Sequence, residues 1–190
     1  MKKLAITGVL ALVFTVTNAF TSTPVKKEVP VKDATITWVG KKVGGQHTGT
    51  IDLKNGNLVM EGQEIVGGTF VIDMTSIQVT DLQAGRGKEK LEGHLNSPQF
   101  FGIEEFPTAT FKIKKAKRNG SNYVLAGDIT IKGVSQSIQV DLTMEGNKAT
   151  TKLVIDRTKH GITYGSASLV DTLKNKAISD DFELKISFSI

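Results

Sequence analysis

From Asp33 to Ile190 apolar and polar residues alternate with a period of two, and this alternation limits the fold more than any other feature of the chain. Ile138, Val140, Leu142 and Met144 are separated by Gln139, Asp141 and Thr143. Phe182, Leu184, Ile186, Phe188 and Ile190 are separated by Glu183, Lys185, Ser187 and Ser189. The same pattern sets Tyr123, Leu125, Gly127, Ile129 and Ile131 on one face, and likewise Ala109, Phe111 and Ile113, Phe70 and Ile72, and Thr151, Leu153 and Ile155. A strand points successive side chains to opposite faces, so each segment reads as a strand with one dry and one wet side. About eight such strands follow one another, which is the pattern of an antiparallel sheet. Asn55-Gly56, Asn119-Gly120 and Gly146-Asn147 read as hairpin turns, because these residues tolerate positive φ. The sheet can close as a sandwich or as an up-and-down barrel. Gly49, Gly67, Gly68 and Gly127 inside strands mark bends and favour the barrel.

One segment breaks the alternation. Arg86 to Ser97 places Leu91 and Leu95 at i and i+4 among charged residues, which predicts a short helix with one apolar stripe. Inserted between strands, such a helix forms a lid on one end of a barrel. Ser97-Pro98 reads as a helix N-cap followed by proline, opening a turn that carries Phe100 and Phe101.

The amino terminus reads as an address. Lys2 and Lys3 precede an apolar run from Leu4 to Val16, and small residues stand at Thr17 and Ala19. This is the order of a secretory signal peptide, cleaved near Ala19. The run is shorter than the roughly 20 residues that a spanning helix needs. The expected product is periplasmic or secreted. Residues 20–32 lack periodicity and read as an irregular segment, so the expected domain is 33–190.

Composition narrows the chemistry. The chain has no cysteine, which excludes a disulfide scaffold, thiol catalysis and Cys-ligated metal. Its charge of +5 falls to +3 once Lys2 and Lys3 are removed, which takes 24 basic residues to 22 against 19 acidic ones. Lys112, Lys114, Lys115, Lys117 and Arg118 cluster on one strand. No aromatic residue interleaves with them, so they read as a solvated face, with attraction to a membrane surface as the functional alternative and no nucleic-acid platform. His47, His94 and His160 lack metal-ligand spacing, and no nucleophile sits in a GxSxG-type turn. The expectation is therefore no catalytic residue, no metal and no cofactor.

The apolar face is then the informative feature. Phe70, Phe111, Ile113, Leu125, Ile129, Ile131, Leu142, Ile186 and Phe188 point inward, toward a space that is either filled by side chains or open to one ligand. Strands of this length make a long, narrow, apolar tube, which suits a long apolar chain. Phe100 and Phe101 join this set from the turn after the helix.

Three stretches resemble the YceI-like family. They are His94-Leu95-Asn96-Ser97-Pro98-Gln99-Phe100-Phe101 with Phe106-Pro107-Thr108-Ala109-Thr110-Phe111, then Leu125 to Val134, then Ile155-Asp156-Arg157 with Gly161-Ile162. The resemblance covers nearly all of 33–190. It implies an all-β fold, an eight-stranded antiparallel lipocalin-like barrel with a short helical lid. It also implies binding of polyisoprenoids or related prenyl lipids, often in the periplasm. The chain departs from the family at Lys90 to Gly93, where many relatives have Arg-Asp, and in a longer segment from Tyr164 to Lys176. The expected function is non-catalytic binding, storage or transport of a polyisoprenoid, quinone or polyprenyl phosphate by a monomer or homodimer. His94 and Arg157 are candidates for polar contacts at the rim. The alternatives are an envelope stress or interaction module with a packed barrel, or a lipid-modifying enzyme using Asp128 or His94.

Overall fold

The computed structural model describes residues 24–166, 168 and 177–190. The expected export signal at 1–19 lies outside them. Nine strands form one sheet: β1 (Lys26–Pro30), β2 (Lys32–Lys42), β3 (Gly45–Glu61), β4 (Glu64–Val79), β5 (Thr108–Asn119), β6 (Asn122–Ile131), β7 (Val134–Glu145), β8 (Lys148–Asp156) and β9 (Ile178–Ser189). Neighbours are antiparallel in the order β3-β2-β9-β8-β7-β6-β5-β4, and β4 pairs back onto β3. That last pairing closes eight strands into a barrel, so no edge remains between them. Register shifts interrupt the β3–β4 and β5–β6 ladders beside Gly49, Gly67 and Gly127. Bulges at such positions add the local bend that closure requires.

The ninth strand, Lys26–Pro30, corrects the reading of that part of 20–32 as irregular, and 20–23 lie outside the described residues. β1 pairs with the far half of β3, on the same edge that β2 uses. The two behave as one strand interrupted between Pro30, paired with Asn57, and Ile36, paired with Ile51, where Asp33 takes a left-handed φ of 47°. At the start of that gap the Val31 N–H still donates to the Gly56 carbonyl at 2.9 Å. Lys26, Lys27 and Glu28 are all exposed, so β1 carries no alternation to read.

Two further sequence expectations fail. Asn55-Gly56 is no hairpin turn: it lies inside β3, and the β3–β4 turn falls at Gly62-Gln63. The helix α1 (Lys88–Asn96) lies where it was expected and Ser97-Pro98 opens the expected turn, but Ser97 is the C-cap of α1 and not the N-cap of a new helix. The Ser97 N–H and Oγ–H both donate to the His94 carbonyl, at 3.2 and 2.7 Å. A turn through Phe100 follows, with the Phe100 N–H donating to Ser97 O at 2.9 Å. The Asn119-Gly120 and Gly146-Asn147 turns stand where expected.

The two barrel ends differ. One carries the β3–β4, β5–β6 and β7–β8 hairpins, and there Leu58, Ile65, Ile113, Tyr123, Leu142 and Ala149 form a buried cluster. The other end carries α1 and a 3-10 helix, η1 (Arg157–His160). Leu95 of α1 is buried there, with Ile36, Met74, Ile77, Val79 and Phe100.

Candidate ligand-binding cavity

Between the lid and the hairpin-end cluster the barrel is hollow. The cavity has a volume of about 650 Å³, within the roughly 300–1,000 Å³ range of small-molecule sites. The inward positions of the strands make its wall: Ile129 and Ile131 on β6, Ile186 on β9, Phe111 on β5, Leu125 and Leu142 lower down. On β9 alone, Phe182, Leu184, Ile186 and Phe188 descend from rim to floor. At roughly 3.3 Å per residue, that is about 20 Å of strand. The exposed residues of the lining, among them Lys41, Lys42, Lys90 and Asp181, all lie at the lid end, so the described residues place the mouth there.

Twelve of the thirteen residues named from the sequence line this cavity: Phe70, Phe100, Phe101, Phe111, Leu125, Ile129, Ile131, Leu142, Ile186, Phe188, His94 and Arg157. Ile113 does not. It lies in the hairpin-end cluster, packed beneath the floor. The sequence selection passed over Trp38, Leu184 and Phe182, although each lies on an apolar strand face and so carried the signal. Tyr164 also lines the cavity, and no periodicity marked it.

Aromatic rings pack under the lid. Phe100 meets Phe101 at 5.1 Å between centroids, and Phe101 meets Phe182 at 6.3 Å. The His94 ring sits between Phe100 at 5.5 Å and Tyr164 at 4.5 Å, which links α1 to the β8–β9 connection. Its Nε2 is buried and has no hydrogen-bond partner among the described residues. Lys132, in the β6–β7 turn, donates from Nζ to the Pro98 carbonyl at 2.7 Å and ties the lid turn to the rim.

Arg157 is 2% exposed. Its guanidinium donates to three backbone carbonyls, Ser179 at 2.9 Å, Ile162 at 2.7 Å and Ile178 at 3.1 Å. Asp180 lies 3.6 Å away, and the Phe100 ring lies 5.6 Å below Cζ. Burial pulls the group below its ordinary value, while Asp180 and Asp156 oppose that shift. Arg157 thus stitches η1 to β9, using its fixed fork of donors where a lysine would supply a single point charge.

Of the remaining polar candidates, His47 lines the cavity and the others lie off it. Asp128 is on the outer wall, paired with Lys114 and accepting from Ser137 Oγ at 2.8 Å. Those two bonds hold its carboxyl below the usual range. It has no access to the cavity. His47 bonds Asp81 at 2.9 Å beside the mouth. Burial alone would raise the Asp81 carboxyl, but bonds from the Thr48 N–H and His47 outweigh it and leave it lowered. His160 is buried against the Val134 carbonyl at 2.9 Å. Lys112, Lys114, Lys115, Lys117 and Arg118 are exposed on the outside of β5. Lys114 pairs with Asp128, and Arg118 with Glu64 at 2.7 Å.

A closed antiparallel barrel with an apolar interior and a helical cover defines a lipocalin-like class of protein. Residues 14–190 match the profile of the YceI-like domain, and the chain belongs to that family. A UPF0312 protein of Yersinia enterocolitica is 27% identical over 77 residues. The match covers 40% of this chain and 40% of that protein, so the chain aligns with about two fifths of the length of such curated relatives. The same fold occurs in BcnA of Burkholderia cenocepacia, with TM-score 0.65 and 19% identity over 83% of this chain and 96% of that one. A polyisoprenoid binding domain from Saccharophagus degradans aligns with TM-score 0.58 and 14% identity, over 86% of this chain and 99% of that one. The YceI protein of Campylobacter jejuni aligns with TM-score 0.53 and 20% identity, over 94% and 90%.

Proposed function

We propose that this protein binds a long-chain prenyl lipid in the barrel interior and carries or stores it without chemical change. One observation carries the reading: a continuous apolar cavity of about 650 Å³ runs from a mouth under the lid down to Phe188. Affinity comes from apolar surface removed from water, roughly 25 cal/mol per Å². A flexible chain gains most from a tube that contacts it on all sides. The polyisoprenoid-binding domain of the same fold supports this class of ligand. The rim supports a carrier more than an enzyme. Arg157, the deeply buried charge at the rim among the described residues, donates to backbone carbonyls, and Asp128 faces away from the cavity. The setting we propose is the periplasm or the exterior, on the strength of the 1–19 segment, and N-terminal sequencing of exported protein tests it. In this reading the carrier is a monomer or homodimer that contacts a membrane surface.

The decisive test is native mass spectrometry of protein purified without detergent, followed by delipidation and add-back of prenyl alcohols and quinones. Bound prenyl lipid, or its recovery on add-back, is the expected result. Protein that is folded, ligand-free and unresponsive to every added prenyl lipid overturns the reading. Ile129→Arg places a charge on the wall and is expected to abolish loading, with circular dichroism confirming that the barrel still folds.

A further inference from the structure

The cavity is blind, and its floor is a pair of aromatic rings. Phe70 on β4 and Phe188 on β9 meet across the lumen with centroids 5.4 Å apart and planes tilted by 57°. Both line the cavity, and both pack on the hairpin-end cluster beneath it. That cluster separates the cavity from a groove on the outer side of the hairpin end, lined by Val25, Met60, Gln63 and Ile190, and the two share no lining residue. Leu58 and Ala149 are 0% exposed there, and Ile65 and Tyr123 only 2% and 4%. The Tyr123 hydroxyl donates to the Gln63 carbonyl at 3.3 Å and fastens the β3–β4 turn over the end.

The Phe70 ring finds its room through a local device that the sequence displays and that hairpin chemistry does not explain. Gly56, inside β3, faces Phe70 across the β3–β4 ladder. A Cβ at Gly56 would stand 3.1 Å from Phe70 Cδ1, 3.2 Å from Leu53 Cδ2 and 3.4 Å from Val31 Cβ. The missing side chain is the space that lets the Phe70 ring lie there. On the other side Phe70 pairs with Phe111 of β5.

We infer that Phe70 and Phe188 set the longest chain this barrel accepts. The inference rests on the proposal that the barrel binds a chain at all, and it adds a specificity-determining pair to that site. A chain that enters at the lid descends until its end meets the two rings. Up to that length, each buried methylene adds affinity, about fourfold apiece. Beyond it, further carbons stay at the mouth and add nothing.

The test measures binding of all-trans prenyl alcohols, from farnesol upward, to delipidated protein by native mass spectrometry and by displacement of a fluorescent fatty acid. Wild-type affinity is expected to rise with each isoprene unit and then level off. Phe188→Ala and Phe70→Ala move that break to a chain at least one unit longer, with a gain of about tenfold or more for the first newly accommodated chain. Phe188→Trp moves the break to a shorter chain. Phe188→Leu and Phe70→Leu, which keep a buried apolar side chain, give the same direction of shift if an alanine variant fails to fold. A break that stays put in folded variants, or an affinity that never levels off in the wild type, overturns the ruler and leaves lipid binding standing. Failure of every alcohol to bind the wild type overturns the carrier reading itself.

Discussion

The two halves of this barrel are built from the same strands and the same residue types, yet one is hollow and the other is filled. At the hairpin end the inward side chains of neighbouring strands meet, and Leu58 and Ala149 are 0% exposed. At the lid end Leu184, Ile186 and Phe182 are only partly buried and line open space. The difference shows that hydrophobic content does not decide whether a barrel is packed. What decides it is what closes each end. Three tight hairpins and β1 draw the hairpin end together, and Tyr123, Met60 and Val31 add bulk to it. The lid end is spanned by α1, which covers the opening and inserts little more than Leu91 and Leu95.

Equivalent truncations break or sharpen this contrast. Leu58→Ala removes a side chain with packed neighbours on every side and is expected to cost about 2–5 kcal/mol, read by urea denaturation. Leu184→Ala removes a side chain that already faces a cavity. It has fewer contacts to lose, so about half that cost or less is expected, together with weaker lipid binding. Equal costs for the two leucines would erase the distinction between filled and hollow halves. A smaller effect tests how the lid end is pinned. Asp156 precedes η1 and accepts from the Thr158 N–H at 3.0 Å and its hydroxyl at 2.6 Å. Asp156→Ala is expected to cost about 1 kcal/mol, and hydrogen exchange should speed up around η1 and Arg157 before it does in β5 or β6.

The smallest effect belongs to the outer wall, which both halves share. Glu183 accepts from Lys41 at 2.5 Å and pairs with Lys152 at 3.0 Å, bridging β2, β9 and β8. The two lysines hold its carboxyl down at about 2, from an ordinary 4.5. A depressed folded value means the pair stabilises fully above pH 4.5, and the contribution is lost as pH falls toward 2. The rung is solvent-facing, so the effect is minor and screened by salt. Glu183→Gln should flatten the thermal midpoint against pH in that window and leave lipid binding at neutral pH unchanged.

Much of this was legible in the chain. Alternation along β4 to β9 predicts which residues face inward, because a strand offers only two faces, and eight of the nine strand side chains named in this way line the cavity. Where the reading failed, a local signal had two meanings. Asn55-Gly56 has the composition of a turn, but in β3 the glycine makes room for Phe70. Ser97 has the composition of a helix start, but its hydroxyl closes α1 on the His94 carbonyl. Ile113 belongs to the same alternating face as Phe111, and only its depth separates core from cavity wall. β1 was hidden because it runs past the barrel with mostly wet side chains, and alternation needs a dry face.

The sequence by itself determined the all-strand character, the dry face of most strands, the helix between β4 and β5, and the family. Those follow from periodicity and short motifs, which are local. The tertiary structure alone decided that β4 returns to β3, that Arg157 is consumed by backbone carbonyls, and that the interior is open above Phe70 and Phe188 and closed below them. Each of these depends on side chains brought together from distant strands across a lumen. Such convergence is a property of the closed sheet, set by bulges and by what seals each end, and no single strand carries it.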